Sequence, residues 1–173
     1  MTTGGPRVEI LALTGPVFAA LADGDLAAAD AAAPVPLTPV FAGPEWAPVW
    51  RVRAVQVAAD PASAAWVTGV VWDPDRRLAV GRAGFHGPPD ARGMVEVGYA
   101  VLPEHRRRGY ARAALAALLD RARREPDVRV VRLSIAPDNV ASQRVALPLG
   151  FREVGEQVDP EDGLEVVYEL DPR

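Results

Sequence analysis

Cysteine and lysine are both absent from the 173 residues, and His86 and His105 are the only histidines. Without cysteine there is no disulfide frame, no thiolate nucleophile and no sulfur-based zinc or iron–sulfur site, a pattern that suits a reducing compartment. Without lysine there is no Walker A phosphate loop and no Schiff-base chemistry. No HExxH or GxSxG pattern occurs, which sets aside metallopeptidase and serine-hydrolase chemistry. No apolar run approaches the ~18 residues of a membrane-spanning helix. Residues 10–22 are apolar in part, but Glu9, Thr14, Gly15 and Pro16 interrupt them, so the segment is not read as a leader and the expected location is cytoplasmic.

What is present is an ordinary globular composition, 49% hydrophobic and 24% charged, with a formal charge of −4. A chain of this length buries roughly 70% of its extended surface and supports one self-sufficient core. The acidic balance argues against general nucleic-acid binding, which needs a dominant basic surface, but leaves room for a local anion site.

The periodicity alternates between strand and helix. A first strand is expected over residues 8–13, then an Ala-rich helix opened by Pro16 and running to about residue 32. A Pro-rich connector over residues 34–48 carries Phe41 and Trp46 into a second helix with Val49, Trp50, Ala54 and Val57 on one face, stopped by Asp60-Pro61. Residues 66–72, 78–85 and 94–101 read as an antiparallel meander. Gly109 introduces the clearest amphipathic helix, with Ala111, Ala114, Leu115, Leu118, Leu119 and Ala122 on one face. A buried strand over 128–135, a short helix capped by Asp138-Asn139, and strands over 151–156 and 164–170 complete the chain.

Two features carry chemistry. The strand over 94–101 delivers the chain to Arg106-Arg107-Arg108-Gly109-Tyr110-Ala111, where unpaired N–H groups at a helix N-terminus, small residues and arginines form an anion cradle fit for a pyrophosphate. On the strand itself, Val95, Val97, Tyr99 and Val101 share one face, and Glu96, Gly98 and Ala100 the other. A carboxylate beside two minimal side chains suits a slot for an extended ligand and a base; a solvent-facing strand edge gives the same pattern.

The loop Arg106-Arg107-Arg108-Gly109-Tyr110-Ala111 resembles the (Gln/Arg)-x-x-Gly-x-(Gly/Ala) motif of the GNAT superfamily of N-acetyltransferases, and Asn139-x-x-Ser142-x-x-Val145-x-x-x-x-Gly150-Phe151 resembles its second signature. Glu96-Val97-Gly98-Tyr99 together with Ser142 looks most like the branch containing the ribosomal-protein alanine N-acetyltransferases. The likeness covers about residues 78–170; the first 75 residues match only as the variable, substrate-side part of one single domain. It implies an α/β fold with a mixed, mostly antiparallel sheet flanked by helices, and acetyl-CoA as cosubstrate. The pyrophosphate would lie on the loop from Arg106 to Ala111, and the pantetheine between the strands over 94–101 and 128–135. By position Leu102, Arg106, Arg107, Arg108, Gly109, Tyr110, Ala111, Asn139 and Ser142 become cofactor-side residues, Asn139 having an equally simple role as a helix cap.

One departure stands out: where many relatives carry a tyrosine acid four residues before the final glycine, this chain has Ala146. Ser142 is the nearest motif residue with an exchangeable proton and is the candidate acid, although a helical serine often bonds only backbone. An acceptor ammonium near pKa ~10 must lose a proton before it attacks, and Glu96 is the candidate base. Glu161 and Asp162 are weaker candidates; His105 is expected to shape the loop and His86 to face solvent. Phe41 and Trp46, near Glu45, are candidate walls for a primary amine, against a simpler role in the core. The resulting expectation is direct acetyl transfer to a primary amine, a protein N-terminus or a small molecule. The alternatives are an acyl-CoA sensor of the same fold and, less favoured, a nucleic-acid contact through Arg106 to Arg108 and Arg121 to Arg124. No metal, membrane or nucleic-acid partner is expected, and a homodimer is an option.

Overall fold

The computed structural model describes residues 4–173. Seven strands form one sheet in the order β1-β2-β3-β4-β5-β7-β6, with β1 at Glu9–Leu11, β2 at Gly69–Asp73, β3 at Leu78–Phe85, β4 at Met94–Val101, β5 at Val130–Ile135, β6 at Arg152–Asp159 and β7 at Gly163–Leu170. Every pairing is antiparallel except β4 with β5. That parallel pair is brief. It joins Met94, Val95 and Glu96 to Val130, Val131 and Arg132, after which β4 stays with β3 and β5 stays with β7. The sheet therefore opens into a fork beyond Glu96, in its middle.

The helices are α1 (Gly15–Ala22), α2 (Leu26–Ala32), α3 (Ala47–Ala59), α4 (Tyr110–Arg124) and α5 (Val140–Ala146). One core lies on the face covered by α4 and α5, where Leu115, Leu118 and Leu119 meet Phe85, Val97 and Val131. A second core on the opposite face gathers Phe18, Leu21, Phe41, Trp46 and Trp50 from the first half of the chain. None of the described helices is long and apolar enough to cross a membrane.

The meander, α4 and the closing hairpin follow the periodicity, but the Ala-rich helix does not run unbroken to residue 32. It stops at Ala22, turns through Gly24 at φ 74°, and restarts as α2 with Asp25 accepting the Ala28 N–H at 3.0 Å. The Asp-Gly-Asp turn overrides alanine's helix propensity because glycine alone enters the left-handed region at no steric cost. Trp66 likewise falls before the second strand, not in it. It ends a 3-10 turn at Pro61–Ala65 and packs on Phe85 with ring centres 5.8 Å apart.

Candidate active site

The chain leaves β4 at Val101, buries Leu102 in the second core, and makes a tight turn before α4. Arg107 and Gly109 both adopt left-handed backbone, at φ 57° and 86°. Gly109 is the α4 cap and has no side chain to satisfy the first turn; the first helical bond comes from the Ala113 N–H to its carbonyl at 3.0 Å. The N–H groups of Tyr110, Ala111 and Arg112 are thus left without helical acceptors. They border a cleft of about 570 Å³ whose walls include Arg106, Arg107, Ala111 and Arg112, with Asn139 and Ser142 of α5 opposite. Free N–H groups, the positive helix end and three arginines suit a diphosphate.

Not all of the loop faces this cleft. Arg108 is exposed and outside its lining, and Leu102 is fully buried away from it. Tyr110 borders the cleft, but its ring is buried in the core and its hydroxyl donates to Asp73 Oδ2 at 2.7 Å. Asp73 has no accessible surface although it sits shallowly at the β2–β3 turn. Its burial raises the carboxyl pKa, but bonds from Tyr110 and from the Arg76 backbone and guanidinium outweigh that and hold it below the usual carboxylate value. The residue at the loop's fifth position is therefore an anchor that ties the start of α4 to the meander. Gly109 is required first by its backbone conformation, and a Cβ there would also meet the Pro6 ring at 3.1 Å.

A second cleft of about 500 Å³ lies against the first, and Tyr99, Asn139 and Ser142 line both. The fork between β4 and β5 joins them. Glu96, the last β4 residue before the fork, accepts the Ser134 hydroxyl at 2.6 Å on Oε1. Ser134 is in turn held by Gln157 at 3.0 Å, which also donates to Glu165 at 2.9 Å. The other Glu96 oxygen lies 3.8 Å from His86 Nδ1, too far for a direct hydrogen bond and suited to a bridging water. His86 is exposed toward the cleft, as the sequence suggests, but it belongs to the site. Desolvation by the surrounding walls lowers its pKa; Glu96 opposes that, and Arg53 and Arg82 add to it. Its imidazole is accordingly neutral at pH 7 and can take a proton. Gly98 keeps the approach open, since a Cβ there would stand 3.0 Å from His86 Nε2. Asp162 reaches this cleft and Glu161 does not.

At the junction, Asn139 acts as the α5 cap, its side chain accepting the Ser142 N–H at 3.1 Å. Ala146 is buried in the main core. The residue that sequence reading missed is Tyr99. Its hydroxyl is buried and lacks a hydrogen-bond partner among the described residues. Burial raises its pKa; the neighbouring Ser142 hydroxyl pulls the other way without reaching hydrogen-bond geometry. Alternation along β4 places this ring with the apolar residues, which hides it in the sequence.

Phe41 and Trp46 line neither cleft. Phe41 is fully buried, its ring edge-on to Trp46 at 5.0 Å, and its carbonyl accepts Trp50 Nε1 at 2.6 Å. Trp46 is nonetheless one layer from the site, because the Arg82 guanidinium stacks over it at 5.2 Å and Arg82 lines the second cleft. Burial, and secondarily Arg53, lowers the Arg82 pKa to about 10, so it stays charged at neutral pH. Two arginines of the last turns of α4 are engaged elsewhere: Arg121 pairs with Glu125 and lies over Trp66, and Arg123 pairs with Asp120.

A family model described as an acetyltransferase (GNAT) domain matches residues 21–152. An uncharacterized N-acetyltransferase of Bacillus subtilis, YjdG, is 38% identical over 77 residues, 44% of this chain and 46% of that protein. A second from the same organism, YoaA, is 29% identical over 50% of this chain and 51% of its own length. The matched stretch thus spans about half the length of these curated relatives. Among solved structures, Mycobacterium smegmatis RimJ in complex with a CoA disulfide aligns at TM-score 0.66 and 21% identity, covering 97% of this chain and 86% of that one. A Vibrio cholerae spermidine N-acetyltransferase chimera aligns at 0.64 and 17%, covering 96% of each. At these identities the structures establish the shared fold.

Proposed function

The chain belongs to the GNAT acetyltransferase family, and from that premise we propose that it transfers the acetyl group of acetyl-CoA directly to a primary amine. The observation that carries this reading is the meeting of two clefts at Tyr99, Asn139 and Ser142, where β4 and β5 part. One cleft offers a diphosphate cradle and the other a carboxylate–imidazole pair, so a thioester entering from the first side would face an amine held on the second.

In this reading the α4 N-terminus with Arg106, Arg107 and Arg112 grips the diphosphate, and β4 backbone beyond the fork polarises the acetyl carbonyl. Glu96 and neutral His86, through a shared water, take the ammonium proton and free the nitrogen lone pair. The nitrogen bonds to the acetyl carbon and the carbon–sulfur bond breaks; the departing thiolate takes a proton from Tyr99, and the second proton that the nitrogen sheds in becoming an amide restores the phenol. Tyr99 thereby fills the role that Ala146 cannot, with the Ser142 hydroxyl beside it. No covalent acyl-enzyme is needed. Leu102 contributes by packing behind the cradle, and Phe41 and Trp46 by supporting the acceptor wall from behind.

The acceptor class stays with this proposal: the RimJ neighbour's name and the spermidine N-acetyltransferase neighbour point to different amines. A cytoplasmic location accompanies it, supported by the lack of cysteine. The test is thiol release from acetyl-CoA with a panel of peptides and small amines. Release with at least one amine supports transfer; acetyl-CoA binding with no release across the panel would favour the sensor reading, and retention on RNA or DNA that CoA fails to displace would favour the nucleic-acid one.

A further inference from the structure

Arg82 has no anionic partner among the described residues. Its Nε is buried without a hydrogen-bond partner, and among the described residues no carboxylate or carbonyl pairs with its guanidinium. It projects from β3, opposite Ala100 of β4, into the wall of the acceptor cleft, with Trp46 beneath its plane. Arg53 adds a second positive charge beside it, and Arg53 Nε and Nη1 are already used by Thr68 Oγ1 at 3.1 Å, by Gln56 Oε1 at 2.9 Å and by the His86 carbonyl at 3.2 Å. A half-buried guanidinium whose Nε is buried and unpaired is costly to keep unless a ligand completes it. A planar fork on an aromatic shelf is the geometry that receives a carboxylate or similar oxyanion through two parallel bonds.

The same cleft is divided by charge. Arg82 lies on the β3 side of β4, whereas Glu96, Glu165, Asp159 and Asp162 lie at the fork and on the β6–β7 side. Glu96 is four residues from Ala100 along β4 and one strand removed from Arg82, so the two Cα atoms are on the order of 14 Å apart. Their side chains, both in the cleft wall, close part of that gap. We propose that Arg82 is the specificity residue of the acceptor site and binds an anionic group carried by the same small molecule whose amine is acetylated at Glu96 and His86. This deepens the transfer reading and rests on it. A polyamine, positive at both ends, would place its second charge against Arg82 and be disfavoured.

The probes are ω-aminocarboxylates of about four to eight carbons, the alkylamines of equal length, and spermidine, each assayed by thiol release from acetyl-CoA. The expected result is that aminocarboxylates exceed the matched alkylamines and spermidine in kcat/KM by about tenfold or more. Arg82→Gln should collapse that ratio to within about twofold, mainly through KM, and Arg82→Lys should restore part of it. Equal kcat/KM for both series in the wild type, or a preference for spermidine, would overturn the proposal. Calorimetric titration of the CoA-loaded protein with the same aminocarboxylates separates this from the transfer reading. Binding that Arg82→Gln abolishes, with no thiol release, would defeat transfer and keep the anion site. Release whose substrate preference is the same in wild type and Arg82→Gln would defeat the anion site and keep transfer.

Discussion

Replacing Tyr99 by phenylalanine should make the protein no less stable and much less active, a combination that few substitutions in a core-facing strand produce. The ring stays, so its packing against the α4 face is conserved. What leaves is a buried hydroxyl that has no hydrogen-bond partner among the described residues. Such a group costs about 1–3 kcal/mol of desolvation, so its removal should leave stability unchanged or raise it by up to about that amount. For a domain of this size that corresponds to a rise of roughly 0–12 °C in Tm. The catalytic consequence has the opposite sign. Burial raises the Tyr99 pKa, which keeps the phenol protonated across the neutral range and available to the leaving thiolate. Loss of a positioned general acid lowers kcat by on the order of 10²-fold, with acetyl-CoA affinity close to wild type. Thermal unfolding and steady-state kinetics on the one variant read both effects. A clear drop in Tm would mean that the hydroxyl has a structural partner, and an unchanged kcat in a folded variant would remove Tyr99 from the reaction.

Glu96→Gln should lower kcat by on the order of a hundredfold while sparing acetyl-CoA binding; wild-type turnover would shift the proton acceptance to His86 alone or to solvent. Asp73 has a folded pKa below its unfolded value of about 3.9, so between those two values the unfolded chain binds more protons. The stability that Asp73 contributes is therefore complete above the unfolded pKa and is lost as pH falls through the folded one. Asp73→Asn should flatten the difference seen in denaturant melts between about pH 2 and 5, and an acid limb identical to wild type would contradict this. Gly109→Val adds left-handed strain to the Pro6 contact and should lower Tm. Gly109→Asn, which tolerates positive φ, should stay folded and weaken acetyl-CoA by about tenfold; full affinity there would remove the α4 N-terminus as the diphosphate cradle.

The amino-acid sequence by itself determined the elements whose signals are local. The meander, α4 with its apolar face from Ala114 to Ala122, and the strand-to-basic-loop-to-helix transition at Val101 to Ala111 all follow from spacing that any short window of the chain contains. Even the broken first helix was written there, in Asp23-Gly24-Asp25, although a long alanine run masks it. The site was only half legible. Glu96 and the cradle stand out because a lone carboxylate or an arginine run departs from its surroundings. What the tertiary structure alone decided is which side chains meet across distance. His86 joins Glu96 because antiparallel pairing of β3 with β4 carries the end of one strand to the start of the other. Tyr99 becomes a junction residue because β4 and β5 stop pairing after Glu96, an event of the sheet and not of either strand's sequence. Phe41 and Trp46, exposed-looking in a Pro-rich connector, are buried because α1 and α3 close over them. Asp73, at a turn where an aspartate is expected for local reasons, is recruited by Tyr110 from 37 positions away. Local pattern records what each residue prefers; long-range packing chooses among those preferences, because burying a polar group is tolerated only where the fold brings it a partner.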